Sequence, residues 1–202
     1  MSSKDFFVQP APLLAPALIG KTLVRVQNGE RVAGIITETE AYQGQEDLAC
    51  HARVGRTRRT EVMFGEPGRA YIYFTYGMHW LLNIVADQAG SPAAVLIRAI
   101  FPLEGLAIME QNRPIAGKRS QWLNGPAKLT QAFGLNGSLN GHDLRNTNSE
   151  LFLEDGISVP GELLEVGPRV GLGKTPEPWL SMPWRWVLNF EHAIEKTEKG
   201  TI

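Results

Sequence analysis

Cysteine, long apolar runs and excess charge are all scarce in this chain of 202 residues. Its single cysteine, Cys50, excludes an internal disulfide and is typical of proteins in a reducing compartment. No apolar stretch approaches the roughly 20 residues that a membrane-spanning helix needs. The longest candidate, residues 10–20, is interrupted by prolines. The amino-terminal region lacks a basic segment followed by an apolar one, so we expect no secretory signal.

The formal net charge of −1 excludes a large overall surplus of basic residues, which weakly disfavours a nucleic-acid-binding protein. The charges are nevertheless distributed unevenly along the chain. Five arginines fall within residues 51–69, against only two acidic residues: Arg53, Arg56, Arg58, Arg59 and Arg69. This segment therefore predicts a basic face on an otherwise neutral or acidic protein.

Neither repeats nor low-complexity linkers interrupt the chain, so we expect one domain over residues 1–190. Residues 22–27 and 31–42 flank Asn28-Gly29, which is a strong hairpin signal. Further strands are predicted at 68–77, 93–100, 157–159 and 184–190, and helices around 13–18, 103–113 and 124–134. Hairpins and helices without regular βαβ alternation predict an α+β fold around a mostly antiparallel sheet. The acidic end predicts a solvated or disordered tail over 191–202.

The segment TETEAYQGQEDLACHAR, residues 37–53, carries more acidic, aromatic and imidazole groups than a strand requires. Strand alternation places Glu38, Glu40 and Tyr42 on one side of it. A solvent-facing polar side is the more common explanation for such a strand. The nearby His51 favours a second explanation, an acid–base site with an aromatic stacking wall. Neither HExxH nor another paired-ligand spacing occurs, so the sequence indicates no metal site.

A second cluster lies in YIYFTYGMHWLLN, residues 71–83. An aromatic strand of this kind usually belongs to a core. Tyr76, directly before Gly77, is instead expected to project from the strand end beside the arginines, where a ring can stack on or wedge into nucleic acid. Arg98 interrupts the apolar run 93–100 and needs a carboxylate or phosphate partner if it is buried. Two explanations follow for Arg98: it belongs to a structural ion pair, or the same pair lies at the bottom of a pocket.

These segments together resemble the alkyladenine (3-methyladenine) DNA glycosylase family. Several long motifs follow the family's order and cover most of the chain from about residue 10 to 187: ETEAYQGQEDLACH (38–51), RTEVMFGEPGRAYIYFTYGMHWLLN (59–83), VLIRAIFPLEG (95–105), NGPAKLTQAFGL (124–135) and RVGLGK (169–174). Motifs of this length are far more specific than a short glycine pattern. The fold implied is the methylpurine DNA glycosylase fold, a single α+β domain with a curved antiparallel sheet flanked by helices.

The resemblance implies an enzyme that flips damaged purines out of double-stranded DNA and hydrolyses their N-glycosidic bond. 3-Methyladenine and 7-methylguanine are the implied substrates, with hypoxanthine and ethenoadenine as further candidates. Two catalytic residues are implied, Glu40 as the general base for water and Arg98 beside it. The residues implied to bind the base are Tyr42, His51, Tyr73, Asn83 and Val170. Those implied to contact DNA are Met63, Leu96 and Arg59, together with Tyr76 as the wedge.

No lysine placed for a Schiff base occurs in these motifs, so hydrolysis to an abasic site without strand cleavage is expected. The resemblance also implies no cofactor, no membrane partner, a monomer, and a location in the bacterial cytoplasm at the nucleoid or in a eukaryotic nucleus. Two other functions stay open. A nucleosidase acting on free nucleosides could use the same glutamate and tyrosines but would not need Tyr76 or the arginines. A non-catalytic module that binds damaged DNA would not need Glu40 as a base.

Overall fold

The computed structural model describes residues 4–114 and 117–190. Its centre is an eight-stranded sheet with the strand path β3-β4-β5-β2-β1-β6, in which β8 joins β2 to β7. The strands are β1 (Thr22–Gln27), β2 (Glu30–Gln43), β3 (Ala70–Thr75), β4 (His79–Val85), β5 (Ala93–Glu104), β6 (Leu151–Glu154), β7 (Leu164–Gly167) and β8 (Arg185–Leu188). The pairs are antiparallel. The predicted α+β class and antiparallel sheet are confirmed.

Strand β2 is bent, and it changes partners along one of its edges. β5 pairs with its other edge, with register shifts beside Ala33 and Glu38. On the changing edge, β1 pairs with the first half of β2, and β8 pairs with residues 38–40. Register shifts of this kind bend a strand and increase its twist. Glu40 therefore lies where β2 is bent and has a strand on each side.

Local signals in the sequence account for several of these elements. Asn28 and Gly29 form the predicted hairpin turn, with φ values of 52° and 83° that a type I′ turn requires. The predicted strands at 22–27, 68–77, 93–100 and 184–190 correspond to β1, β3, β5 and β8. Strands β4, β6 and β7 were not predicted. β6 and β7 have four residues each, which is too short for a clear periodicity.

The strand predicted at 157–159 is wrong, since this segment is irregular. The Ile157 N–H donates to the Gly20 carbonyl, and a Cβ on Gly20 would lie 2.5 Å from the Ile157 oxygen. The segment thus packs on the turn after the first helix instead of joining a ladder. Pro160 follows it and has no N–H to donate to a neighbouring strand.

Three α-helices in the described part of the chain pack against the sheet: α1 (Ala11–Leu18), α2 (Leu106–Asn112) and α3 (Pro126–Ala132). They share one large apolar core with the strands, to which Leu14 and Met109 contribute. Thr39 Oγ1 donates to the Ala15 carbonyl at 2.9 Å, so α1 lies on the face of β2 opposite Glu40. None of the described helices is long and apolar enough to span a bilayer. The tail predicted at 191–202 lies outside the described residues.

Candidate active site

A cavity of ≈ 690 Å³ opens on the face of the sheet that carries Glu40, within the size range of small-molecule sites. Its walls come from β3, β4 and β5, from residues 48–53 and from the loop 170–176. Most of the sequence-predicted residues line it: Tyr42, His51, Met63, Tyr73, Tyr76, Asn83, Leu96, Arg98 and Val170. Glu40 lies directly behind this wall, where it contacts the Tyr42 hydroxyl. Arg59 packs on the ring of Tyr73, which is part of the wall. The fold therefore brings together residues that are up to 130 positions apart.

Glu40 has none of its surface exposed, so a solvent-facing side is the wrong explanation for this strand. The Val170 N–H donates to its Oε1 at 2.6 Å, and the Tyr42 hydroxyl donates to its Oε2 at 2.8 Å. Arg98 Nε lies 3.4 Å from Oε1. Burial raises the pKa of Glu40 above its ordinary value, although Arg98 and both hydrogen bonds act to lower it. A carboxylate with a raised pKa is a better proton acceptor than one in water.

Arg98 has the carboxylate partner that its position in an apolar strand requires. Its Nε donates to Glu38 Oε1 at 2.7 Å, and Arg185 Nε donates to the same oxygen at 2.6 Å. Arg98 also lines the cavity beside Glu40. Both explanations offered by the sequence thus apply to one side chain, which is an ion pair and part of the pocket wall.

Tyr42 and Tyr73 give the cavity two aromatic walls. Each ring has a guanidinium group over one face, with Arg169 Cζ 4.8 Å from the Tyr42 centroid and Arg59 Cζ 4.9 Å from the Tyr73 centroid. His51 meets Tyr73 edge to face, with a centroid distance of 4.6 Å and an interplanar angle of 80°. These contacts fix the orientation of both rings before any ligand binds.

His51 supplies an uncharged imidazole. Burial, assisted by Arg59 and Arg53, lowers the pKa of His51 to about 4, so the ring is neutral near pH 7. Its Nδ1 lies 3.1 Å from the Tyr71 hydroxyl oxygen, in a hydrogen bond whose donor depends on the tautomer of the ring. In either tautomer the neutral ring keeps one N–H donor and adds no positive charge.

Asn83, Met63 and Leu96 form the inner part of the wall. The Asn83 side-chain amide donates to the Tyr71 carbonyl at 3.1 Å, which holds it in place within the sheet. Met63 and Leu96 are 1% and 4% exposed. The resemblance places both near the DNA interface, which stays a prediction, and in the structure both line the cavity.

Tyr76 projects from the β3–β4 hairpin at the cavity and is 83% exposed. Its φ of 51° lies in the left-handed region, which an aromatic residue rarely adopts. Strain of this kind is often retained at functional positions. Four arginines of the basic segment are exposed: Arg53, Arg56, Arg58 and Arg59. Arg69 pairs with Asp143 and Arg56 pairs with Glu61, so nearby acids balance part of the predicted basic charge.

Cys50 and the acidic residues within the described ranges show no sign of metal chemistry. Burial raises the pKa of the Cys50 thiol to about 12, and the residue packs beneath the cavity. Among residues 4–114 and 117–190, no group of three or more His, Cys, Asp and Glu side chains is placed to hold a metal ion.

Two residues next to this site were not predicted from the sequence. Arg169 and Asp47 form an ion pair in which both side chains are fully buried. A signal was present, because Arg169 opens the RVGLGK motif and Asp47 belongs to the polar segment 37–53. Nothing in the local pattern, however, indicates that these two residues meet.

Comparison with known proteins supports one assignment for this site. The sequence profile of the methylpurine-DNA glycosylase (MPG) family matches residues 5–192. Proteins from Prosthecochloris aestuarii, Methanocella arvoryzae and Myxococcus xanthus, each named "Putative 3-methyladenine DNA glycosylase", are 46%, 44% and 42% identical to this chain. The matches cover 96%, 98% and 98% of this chain and 90%, 98% and 95% of the relatives. The chain therefore belongs to the methylpurine-DNA glycosylase family.

Proposed function

We propose that this chain is a monofunctional DNA glycosylase, which flips alkylated purines such as 3-methyladenine and 7-methylguanine out of duplex DNA and hydrolyses their N-glycosidic bond. One observation carries the proposal: the buried carboxylate of Glu40 lies beside Arg98, behind a cavity walled by Tyr42 and Tyr73. Family membership and the names of the relatives support the same chemistry.

Glu40 is the general base in this proposal. A carboxylate offers about four lone-pair sites, and the Val170 and Tyr42 hydrogen bonds occupy two of them. A free site accepts a proton from a water molecule while the water oxygen bonds to the anomeric carbon. The bond from that carbon to the purine nitrogen breaks, and its electron pair leaves with the base. General-base assistance of this kind is worth roughly 10²–10⁴ in rate.

The walls of the cavity favour a cationic base. An alkylated purine such as 7-methylguanine carries a positive charge, and its attraction to an aromatic face is worth about 2 kcal/mol when it is desolvated. The neutral His51 does not repel that charge. Hypoxanthine and ethenoadenine are uncharged, so we expect them to be released more slowly. Asn83 is proposed to crowd the 2-amino group of unmodified guanine.

Double-stranded DNA with a damaged purine is the proposed partner of a monomeric chain. Extruding a base costs a few kcal/mol, and the exposed Tyr76 offsets part of this by wedging into the stack. Arg59 and its exposed neighbours are proposed to contact phosphates, which makes binding weaker at high salt. This substrate places the proposed activity at the chromosome, in the cytoplasm of a bacterium or the nucleus of a eukaryote.

Release of bases from methylated duplex DNA tests this proposal, with wild type compared with Glu40→Gln. Glu46→Gln is the matched control, because Glu46 is an exposed acid close in sequence that does not line the cavity. We expect wild type and Glu46→Gln to release methylpurines and to leave uncut strands with abasic sites, and Glu40→Gln to lose release. Selective binding by wild type without release would favour a binding module. Activity on free nucleosides alone would favour a nucleosidase.

A further inference from the structure

The buried ion pair between Arg169 and Asp47 has no role in the proposed chemistry. Arg169 Nη1 donates to Asp47 Oδ2, and Nη2 donates to Oδ1, so the contact is bidentate. Both side chains are fully buried. Burying two charges costs desolvation energy, and apolar residues in the same space are often equally stable. Stability alone therefore does not explain this pair.

The other contacts of Arg169 converge on the strand that carries Glu40. Nη1 also donates to the Ala41 carbonyl at 3.0 Å, and Nη2 donates to the Trp179 carbonyl at 3.1 Å. The guanidinium carbon Cζ lies over two rings, 4.8 Å from the Tyr42 centroid and 5.0 Å from the Trp184 centroid. One side chain thus joins β2 at the residues that follow Glu40 to the segment 179–184.

Asp47 extends this connection to the loop before His51. Its Oδ2 accepts from the Gln43 N–H at 3.3 Å, and its Oδ1 accepts from the Ala49 N–H at 3.0 Å. The carboxylate also balances the positive charge behind the Tyr42 ring. A cationic base stacked on the other face of Tyr42 would therefore meet no net positive charge from this pair.

We propose that Arg169, held by Asp47, is a positioning residue for Glu40. Its stacking contact fixes the Tyr42 ring whose hydroxyl donates to Glu40 Oε2. Its backbone continues directly into Val170, whose N–H donates to Glu40 Oε1. A single buried guanidinium thus sets both neutral donors to the proposed base. This inference rests on the proposed function, since it requires Glu40 to act as the base.

Arg169→Lys tests the inference, because lysine keeps the charge but has neither the planar fork nor the stacking surface of arginine. The Tyr42 and Val170 hydrogen bonds both lower the pKa of Glu40, so their loss raises it. We expect the acid limb of the pH profile of kcat to move to higher pH by about one unit, which is about tenfold in rate on that limb.

Arg145→Lys is the matched control. Arg145 also makes a bidentate contact with an aspartate, since its Nε and Nη2 donate to Asp143 at 2.7 Å each, and neither residue lines the cavity. We expect Arg145→Lys to lower the melting temperature without moving the pH profile. If Arg169 had a purely structural role, Arg169→Lys would also lower the melting temperature without moving the pH profile. The pH profile of kcat per folded molecule would then match that of wild type, and this result would overturn the inference.

Asp47→Asn provides a second test if Arg169→Lys does not fold, as judged by circular dichroism. Asparagine keeps the shape of the side chain and one acceptor oxygen, so we expect a smaller shift of the acid limb in the same direction. Wild type and Glu40→Gln are measured in the same assay. Lack of release by wild type, or full release by Glu40→Gln, would overturn the proposed function. Normal release by wild type with unshifted profiles for the folded variants would overturn only the positioning role.

Discussion

The hydroxyl of Tyr42 donates to the Glu40 carboxylate at 2.8 Å, although the two residues are only two positions apart on one strand. The pleat of β2 places both side chains on the same face. Burial, with the neighbouring Glu40 charge, raises the pKa of Tyr42 well above its ordinary value, so the hydroxyl stays protonated and can donate. The proposed stacking wall and the proposed base are therefore physically coupled.

Tyr42→Phe should separate these two roles, because phenylalanine keeps the ring and removes the hydroxyl. In the wild type, the hydrogen bond from the Tyr42 hydroxyl lowers the pKa of Glu40. Without this bond, the pKa of Glu40 in the variant should be higher. We expect the acid limb of methylpurine release to move to higher pH in single-turnover kinetics. Tyr71→Phe is the control, since the Tyr71 hydroxyl contacts His51 and not Glu40. An unshifted limb in Tyr42→Phe would contradict the coupling.

Glu40→Gln should stabilise the fold at neutral pH while it abolishes release. Burial raises the pKa of Glu40 above the ordinary 4.5, so ionising this carboxyl costs the folded state more than the unfolded state. The free energy of unfolding of the wild type therefore falls as pH rises from the pKa of Glu40 in the unfolded state through its pKa in the folded state. The glutamine variant has no such carboxyl and does not show this fall. We expect urea unfolding to show a gain for the variant at pH 7 that shrinks toward pH 4.5.

Glu150→Gln is the control of opposite sign for that experiment. Arg25 lowers the pKa of Glu150, so its carboxylate stabilises the fold above the unfolded pKa, and this contribution is lost as pH falls through the folded pKa. We expect Glu150→Gln to be slightly less stable than wild type at neutral pH, since the Glu150 side chain is half-exposed and solvent screens the pair. A loss of stability at neutral pH in both variants would argue against the raised pKa of Glu40.

Arg59→Ala should raise the pKa of His51, which nuclear magnetic resonance can follow directly. Burial is the main cause of the low value of about 4, and the positive charge of Arg59 lowers it further. Removing this charge favours the imidazolium, but burial keeps the pKa below the ordinary 6.5. Arg58→Ala is the control, because Arg58 is exposed and does not contribute to the shift. Equal titration of His51 in wild type and Arg59→Ala would refute this account.

Tyr76→Gly should reduce release from duplex DNA with little change in stability. Tyr76 adopts a φ of 51°, which glycine accepts without the roughly 1–2 kcal/mol penalty of other residues. Glycine also loses more backbone freedom on folding, so we expect the free energy of unfolding to change by less than about 1 kcal/mol. Comparing base release from duplex DNA with base release from single-stranded DNA isolates the effect of inserting Tyr76 into the duplex. An equal fall in both would show that Tyr76 does not act on the duplex.

Several elements were predictable because their signals are local. Asn28-Gly29 specified a hairpin, and Pro126 with Gly134 marked the two ends of α3. The strand predicted at 157–159 failed because packing on Gly20 outweighed its β-branched residues. β7 was not predicted because its short segment lacks a local strand signal, and it forms a strand by pairing with β8.

The sequence by itself determined that Glu40 and Tyr42 share a face, that a buried Arg98 needs a carboxylate or phosphate, and that Tyr76 ends a strand, because periodicity and turn chemistry act over a few residues. Only the tertiary structure decided which carboxylate Arg98 would contact and that Glu40 would be buried. It also brought Arg169 to Asp47, which lies 122 positions away. Burial and the pKa shifts that follow from it depend on distant segments meeting, and no local pattern contains that information.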